Sequence, residues 1–389
     1  MTTTAPPVTG TWTAADDLTP TATWDGQHDG PVRLTDGTIL IVGGADAGSA
    51  PLARAARFEP ATGGWTPAGA LHTPRRRHTV TALGDGGALV AGGTSAATQF
   101  PPPALATSER LDPGHTTWSP TPGPLHHARW GHSAVALGDG SVLVAGGSTI
   151  RSATSLTALR SVERFDPGSG QWTDVAPMND ARTGHVAVVL GDGKVLVIGG
   201  TVPLGPDDEA ALAFCELYDP AHDTWTATGS LTVPRARHQA VLLSPTTVLV
   251  VGGQPPGPDD DAGFDPFPRA SAEVFNQATG AWTAVAPLPG GGRELHRAVA
   301  LDDGQVLVAG GTDNVRDAAG FTAPLVFDGT GWTAVPGLAV GRWGFGAAAL
   351  QDGSVLVVGG VTRSGQATAA GAGRELTATT ELFTLGGTD

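Results

Sequence analysis

The side chains best suited to chemistry recur at one spacing. Arg75 and His78, Arg129 and His132, Arg182 and His185, Arg235 and His238, and Arg293 and His296 each form an Arg-x-x-His segment. A sixth segment runs from Arg342 to Phe345, and a seventh place holds Gly26 and Asp29. Counted back from a following Gly-Gly pair, every His, Phe or Asp falls at the same distance. Imidazole is the commonest ligand for zinc, copper and iron. Five histidines converging on an axis (His78, His132, His185, His238 and His296) would make an open coordination sphere for one of these transition metals. Asp29 would add a carboxylate or orient a ligand from behind. The alternative is structural, with the segments bracing the fold and no metal held. The residues alone leave both readings standing.

Departures from the repeat mark further candidates. Trp130 and Trp343 stand two residues before the ring position, where other units have Arg76, Thr183, Ala236 and Glu294. Indole beside a polar pocket suits a flat or apolar ligand, so both are candidate substrate-binding residues with Arg129, Arg342 and Phe345. Trp24 lies in the equivalent approach of the first unit. Glu294 is the one carboxylate inside an Arg-x-x-His segment. It is a candidate general base, and a salt bridge to a neighbouring arginine is its other reading. With Asp29 it completes the candidate catalytic pair. His126 and His127 read as a solvated loop pair. The acidic stretches 207–209 and 259–261 lack the alternating ligands of an EF-hand and read as solvated loops.

The elements that position these residues repeat seven times. Runs such as DGTILIVGG (36–44), DGSVLVAGG (139–147) and DGSVLVVGG (352–360) end in Gly-Gly pairs spaced 49 to 58 residues apart. A fixed period of this size is the mark of a supersecondary unit stacked on copies of itself. In the unit at 127–174, HSAVAL is a short strand and Gly138-Asp139-Gly140 a tight turn. Val142 to Gly147 reads as a strand covered on both faces. After a long loop come Val162–Phe165, the turn Asp166-Pro167-Gly168, and a fourth strand at Gln171–Thr173. Four antiparallel strands closing on a tryptophan make a propeller blade. Trp12 precedes the first Gly-Gly run and Phe383 ends the last unit without a tryptophan. The strand around Trp12 is therefore expected to complete the blade left open at 379–384, closing a ring of seven in a single domain over 1–389 and removing exposed sheet edges.

In each unit the His opens the innermost strand, at the end that shares a face with the long second-to-third-strand loops. One face should thus carry the channel mouth, the ring and the variable loops, where function is usually carried.

The pattern Arg-x-x-His…Asp-Gly-x-Val-Leu-Val-x-Gly-Gly…Glu-x-Phe-Asp-Pro…Trp resembles the kelch repeat, over residues 10–384. It looks most like the bacterial form related to the propeller domain of galactose oxidase. The resemblance implies an all-β, seven-bladed kelch propeller. Its functions are divided, since kelch propellers serve both as enzymes and as binding scaffolds. The copper-radical centre of galactose oxidase needs two tyrosines and a Tyr–Cys crosslink, whereas this chain has one tyrosine and one cysteine. No phosphate loop, nucleophile elbow or cysteine pair signals an organic cofactor or structural zinc.

A net charge of −15 disfavours nucleic acid and anionic membranes as partners. Cys215, the single cysteine, excludes an internal disulfide. The start MTTTAPPVTG lacks a signal-peptide pattern, and no apolar run has membrane-spanning length. A cytoplasmic monomer is the expectation. Its leading function is a metal-dependent enzyme that oxidises or rearranges a small molecule, with biosynthesis as the expected setting. The alternative is a non-catalytic scaffold that binds a peptide, glycan or protein through the same face.

Overall fold

Seven four-stranded antiparallel sheets form the body of the protein, seen in a computed structural model. It describes residues 9–386 apart from 25, 27, 98, 100, 115, 205–208, 255–267, 302–303 and 317. The acidic residues 207–208 and 259–261 therefore lie outside the described residues. Blade 3 shows the common plan: Ser133–Ala136, Val142–Ala145, Val162–Asp166 and Gln171–Val175, paired in that order. Blade 1 begins with the short strand Val32–Arg33, and blade 2 with Thr79–Ala82. Blades 4, 5 and 6 open at Val186–Val189, Gln239–Ser244 and Arg297–Ala300.

Blade 7 is built from both ends of the chain. Gly346–Ala349, Val355–Val358 and Thr380–Leu385 are joined by Gly10–Ala15, with Trp12 opposite Phe383. This is the closure expected from the displaced tryptophan, and it leaves each sheet flanked by neighbours.

The core lies between blades. Second strands such as Val142–Ala145 are buried on both faces, as their unbroken apolar runs require. Leu83, Leu89, Ala91 and Leu125 of blade 2 and its exit loop pack on Val142, Val144, Phe165 and Trp172 of blade 3. The outer tryptophans stitch successive blades together. Trp118 Nε1 donates to the carbonyl of Ala68 at 3.1 Å, Trp225 to Ala176 at 2.7 Å and Trp12 to Pro336 at 2.7 Å. Each indole buries a large apolar area while its one donor is satisfied by the preceding blade.

Replacing such a residue leaves a cavity that sheets on both sides restrain from collapsing. Trp172→Ala should cost about 3–5 kcal/mol in chemical denaturation, and a loss below about 1 kcal/mol would contradict this packing account.

Candidate functional site

The arginines of the repeat are spent inside the blades. Arg129 is fully buried. Its Nη1 donates to the carbonyls of Gly146 at 2.7 Å and Ser161 at 3.0 Å, and its Nη2 to Ser161 Oγ at 3.0 Å and Glu163 Oε1 at 2.6 Å. Glu163 in turn accepts the backbone amides of His126 at 2.6 Å and His127 at 3.1 Å. The same device pairs Arg75 with Glu109, Arg182 with Glu216, Arg235 with Glu273 and Arg342 with Glu381. Arg129 and Arg342 were candidates for binding substrate. They brace strands instead, because a buried guanidinium needs its carboxylate and carbonyls to offset lost hydration. Blade 6 has Leu325 in place of the glutamate. There Arg293 donates to Gly310 and Ala323 carbonyls and lies over the ring of Phe321, and burial pushes its pKa down to about 10.

The ring histidines stand between blades, each against the first glycine of the preceding Gly-Gly pair. A Cβ placed on Gly92 would lie 2.6 Å from His132 Cε1, on Gly146 2.8 Å from His185, and on Gly252 2.4 Å from His296. Only glycine leaves room for the imidazole. His132 Nε2 meets Thr79 Oγ1 at 3.1 Å and His185 Nε2 meets Ser133 Oγ at 2.9 Å, both partners on the preceding blade. Phe345 fills the same niche against Gly310, wholly buried in the core between blades 6 and 7. Burial and the adjacent arginines push His78 and His296 down to about 3, and His132, His185 and His238 well below 6.5. The five imidazoles are neutral, and they are not brought together as ligands. Among the described residues the one group with three ligand atoms within 4.8 Å of one another is His126, Glu163 and Asp174, on blade 3 and its approach. Glu163 already serves Arg129 there, and the His126–Asp174 contact of 2.9 Å raises the His126 pKa. The group could hold a cation, but it lies apart from the ring.

Blade 1 breaks the repeat by insertion. Backbone bridges equate Thr23 with Trp130, Thr183 and Trp343, while the strand register equates Asp29 with the histidines. Five residues therefore lie where other blades have one. Trp24 takes the place of the imidazole, its ring against Gly359 and its Nε1 donating to the carbonyl of Val42 at 3.2 Å. Ala22, not Gly26, stands where the arginines do, its carbonyl accepting the Gly360 amide. Asp29 is buried, accepts the Gly26 amide at 2.8 Å and faces Arg297 at 3.7 Å. Arg297 donates to the carbonyls of Phe345, Gly26 and Trp24. Asp29 thus anchors the insertion by a buried ion pair and does not face the cavity.

At the loop face the channel opens into a cavity of about 210 Å³. Trp130 and Trp343 both line it, on blades that lie across the ring from each other. Their company was not foreseen from the sequence. The residue just before each ring position also faces the cavity: Arg77, Gly131, Gly184, Arg237, Leu295 and Gly344. All six have positive φ, between 51° and 63°. Glycine adopts this left-handed conformation freely, whereas Arg77, Arg237 and Leu295 hold it at a cost of order 1–3 kcal/mol each. A non-glycine residue in a place where sister blades use glycine was the available signal. Glu209 and Arg374 reach the rim from two of the hairpins that rise beside the channel. Arg77 lies 5.2 Å over the Trp130 ring, and the buried Trp130 Nε1 has no hydrogen-bond partner among the described residues. Glu294 stands behind the wall, accepting from Gln254, and burial raises its pKa against the pull of Arg237.

A kelch-motif family model matches residues 129–179. The chain is 28% identical over 295 residues to mouse "Kelch-like protein 35", covering 75% of this chain and 45% of that one. It is also 28% identical over 233 residues to "Kelch-like protein terF" of Aspergillus terreus, covering 58% of this chain and 46% of the relative. The chain thus spans less than half the length of these relatives. The chain is a seven-bladed β-propeller that carries a kelch motif at residues 129–179 and is similar to kelch-like proteins.

Among solved structures the propeller is similar to a fungal alcohol oxidase of the AA5 family in complex with copper. The TM-score is 0.67 at 18% identity, over 96% of this chain and 76% of the oxidase. It is similar as well to YjhT, with a TM-score of 0.59 at 16% identity, over 81% of this chain and 98% of that structure. These likenesses concern the fold. A copper-radical centre does not fit the side chains present. Tyr218 bonds Asp223 and packs on Trp225, while Cys215 is buried on the same third strand of blade 4, both outside the cavity.

The neutral imidazoles make stability depend on acidity. His28, whose pKa burial and Arg297 push down to about 4, joins the five ring histidines. Unfolded, all titrate near 6.5, so below that pH the unfolded chain binds protons the folded chain refuses. Stability is fully present above 6.5 and is lost as pH falls toward 4, by about 1.4 kcal/mol per pH unit for each histidine. Thermal melting followed from pH 7.5 to 4.5 should show a steep fall below 6.5, and a flat profile would contradict the buried neutral ring.

Proposed function

We propose that this propeller binds a small metabolite in the axial cavity at its loop face, between Trp130 and Trp343. The observation that carries the reading is the row of left-handed residues before the ring positions. Arg77, Arg237 and Leu295 sit in a conformation that suits glycine, and their side chains line the cavity. Strain held at one concave spot points to a site under functional demand. A volume of about 210 Å³ is below the roughly 300–1,000 Å³ of drug-sized pockets. The occupant is accordingly small.

Chemistry on such a ligand would run through the residues of the cavity wall, not through a metal on the ring histidines. The scaffold reading has separate support. Ile150, Leu204 and Phe214 are large exposed apolar residues, all on the loop segments of blades 3 and 4. A peptide partner would be sought there.

The test is a metabolite screen by thermal shift on the intact protein, followed by calorimetry on hits. Hits should weaken about tenfold or more in Trp130→Ala, the scale of losing an aromatic anchor, while Phe214→Ala leaves them unchanged. Hits indifferent to Trp130→Ala, or an absence of saturable binding, would remove the cavity as the site.

A further inference from the structure

We propose that blade 1 binds a small carboxylate, of the size of acetate, against the guanidinium of Arg54, at the place where five other blades put the carboxylate of a glutamate. Backbone pairing fixes the correspondence. The Gly43 amide donates to the carbonyl of Arg54 as the Gly146 amide does to that of Ser161, and Ile41 opposes Ala56 as Val144 opposes Glu163. Position 54 is therefore the place of Ser161, and position 56 the place of Glu163. In blade 3 both of those side chains meet the guanidinium of Arg129. Blade 1 has Ala22 where the arginine of the repeat would stand, and Ala22 and Ala56 lie in one cluster with Leu18, Leu52 and Trp24. Residues two apart on a strand share a face, so the Arg54 side chain leaves the third strand on the side of Ala56. The cation of the brace is thus supplied from a different strand, and the carboxylate of the brace is missing from the chain. This site is separate from the axial cavity, whose lining does not include Arg54.

The guanidinium is in an unusual state. Its Nε, Nη1 and Nη2 are all shielded from solvent, and none has a hydrogen-bond partner among the described residues. No carboxylate there pulls its pKa up, and burial pushes it down to about 10. Arg293 also lacks a glutamate, but it keeps two carbonyl bonds and the ring of Phe321. A buried cation with neither carbonyls nor carboxylate is a costly arrangement, and an anion that binds beside it offsets that cost. The substitution itself defines the size of the anion. Glutamate exceeds alanine by a CH2–COO group, which is an acetate. Solvent also reaches the spot, since Ala56 is partly exposed whereas Glu109, Glu163, Glu216, Glu273 and Glu381 are buried. The planar guanidinium fork matches two carboxylate oxygens and favours them over a spherical halide.

The test is calorimetry and thermal melting of the full chain at constant ionic strength, well above the histidine titrations. Acetate and formate would be compared with chloride and with acetamide, the neutral counterpart of acetate. Expected is saturable binding of the two carboxylates and a melting temperature that climbs with the logarithm of their concentration. Arg54→Ser installs the residue of blades 3 and 5. It should bind acetate about tenfold or more weakly, the scale of losing a charge-assisted bond, and should melt no lower than the wild type in carboxylate-free buffer. Ala56→Glu supplies the carboxylate from within the chain. It should melt higher than the wild type without acetate and no longer respond to acetate. Acetate binding unchanged in Arg54→Ser would overturn Arg54 as the site, and binding unchanged in Ala56→Glu would overturn position 56 as its place. Chloride or acetamide binding as tightly as acetate would overturn the carboxylate class. Binding of none of the probes would overturn the proposal, and leaves the axial cavity to its own screen.

Discussion

The buried arginine at the start of six of the seven blades is the interaction on which the rest depends. In five blades its guanidinium joins three things that have no other reason to meet: the Gly-Gly carbonyl that ends the second strand, the backbone opening the third strand, and a glutamate on that strand. The glutamate spends its second oxygen on amides of the incoming loop. Because a lone charge inside a sheet sandwich would cost several kcal/mol, the pair and its carbonyls hold or fail together. That coupling fixes where the loop enters the blade, and so fixes the mouth of the channel. Blade 6 shows the limit of the device: with Leu325 in place of the carboxylate, Arg293 keeps its carbonyl bonds and leans on Phe321.

The brace explains why the repeated residues carry no ligand role. Arginine and histidine recur because most blades use them in the same two ways, one within the blade and one against its neighbour's glycines. Both are turned into the sheets. What remains to face the axis is the pair of residues between them, which the architecture leaves unspecified. Trp130, Trp343, Arg77, Arg237 and Leu295 all come from that pair. Variation on a fixed frame collects at one mouth, and the chemistry of the mouth can change without touching the brace.

This division also sets what could be read from the sequence. The blade count, the strand order and the Trp12–Phe383 closure were legible, because hydrophobic runs, turns and a displaced tryptophan are local signals with one consistent solution. The tryptophans at the mouth were legible as departures from a pattern. The ring was legible as a ring but not as a set of contacts. Equivalent positions around an axis do not say whether side chains point at the axis or at the next blade, and a Gly-Gly pair that opens a niche for an imidazole looks in sequence like any turn. Arg77 and Arg237 were hidden for a related reason: their meaning lies in a backbone angle that sequence spacing does not carry. Counting back from Gly-Gly also placed Gly26 with the arginines, since counting passes over an insertion in blade 1 without registering it.

That insertion also lines the cavity, through Gly26. Gly26 lines the cavity on the loop side, while His28 lines a second cavity on the far side with Val80, Gln239 and Arg297. The insertion therefore contributes a residue to each of the two cavities. Arg297 holds it there from blade 6, through carbonyls of Trp24 and Gly26 and the carboxylate of Asp29. A seven-bladed ring leaves its centre open, and a ligand entering a plain channel would meet water on both sides. With the insertion in place, Gly26 joins Arg77 and Arg237 in lining the loop-face cavity. A buried ion pair is a poor means of adding stability. Here Asp29 and Arg297 do something an apolar pair of the same size would not. Directional bonds to Trp24 and Gly26 fix an irregular loop beside an open axis, and the one asymmetric blade thereby breaks the symmetry of the channel.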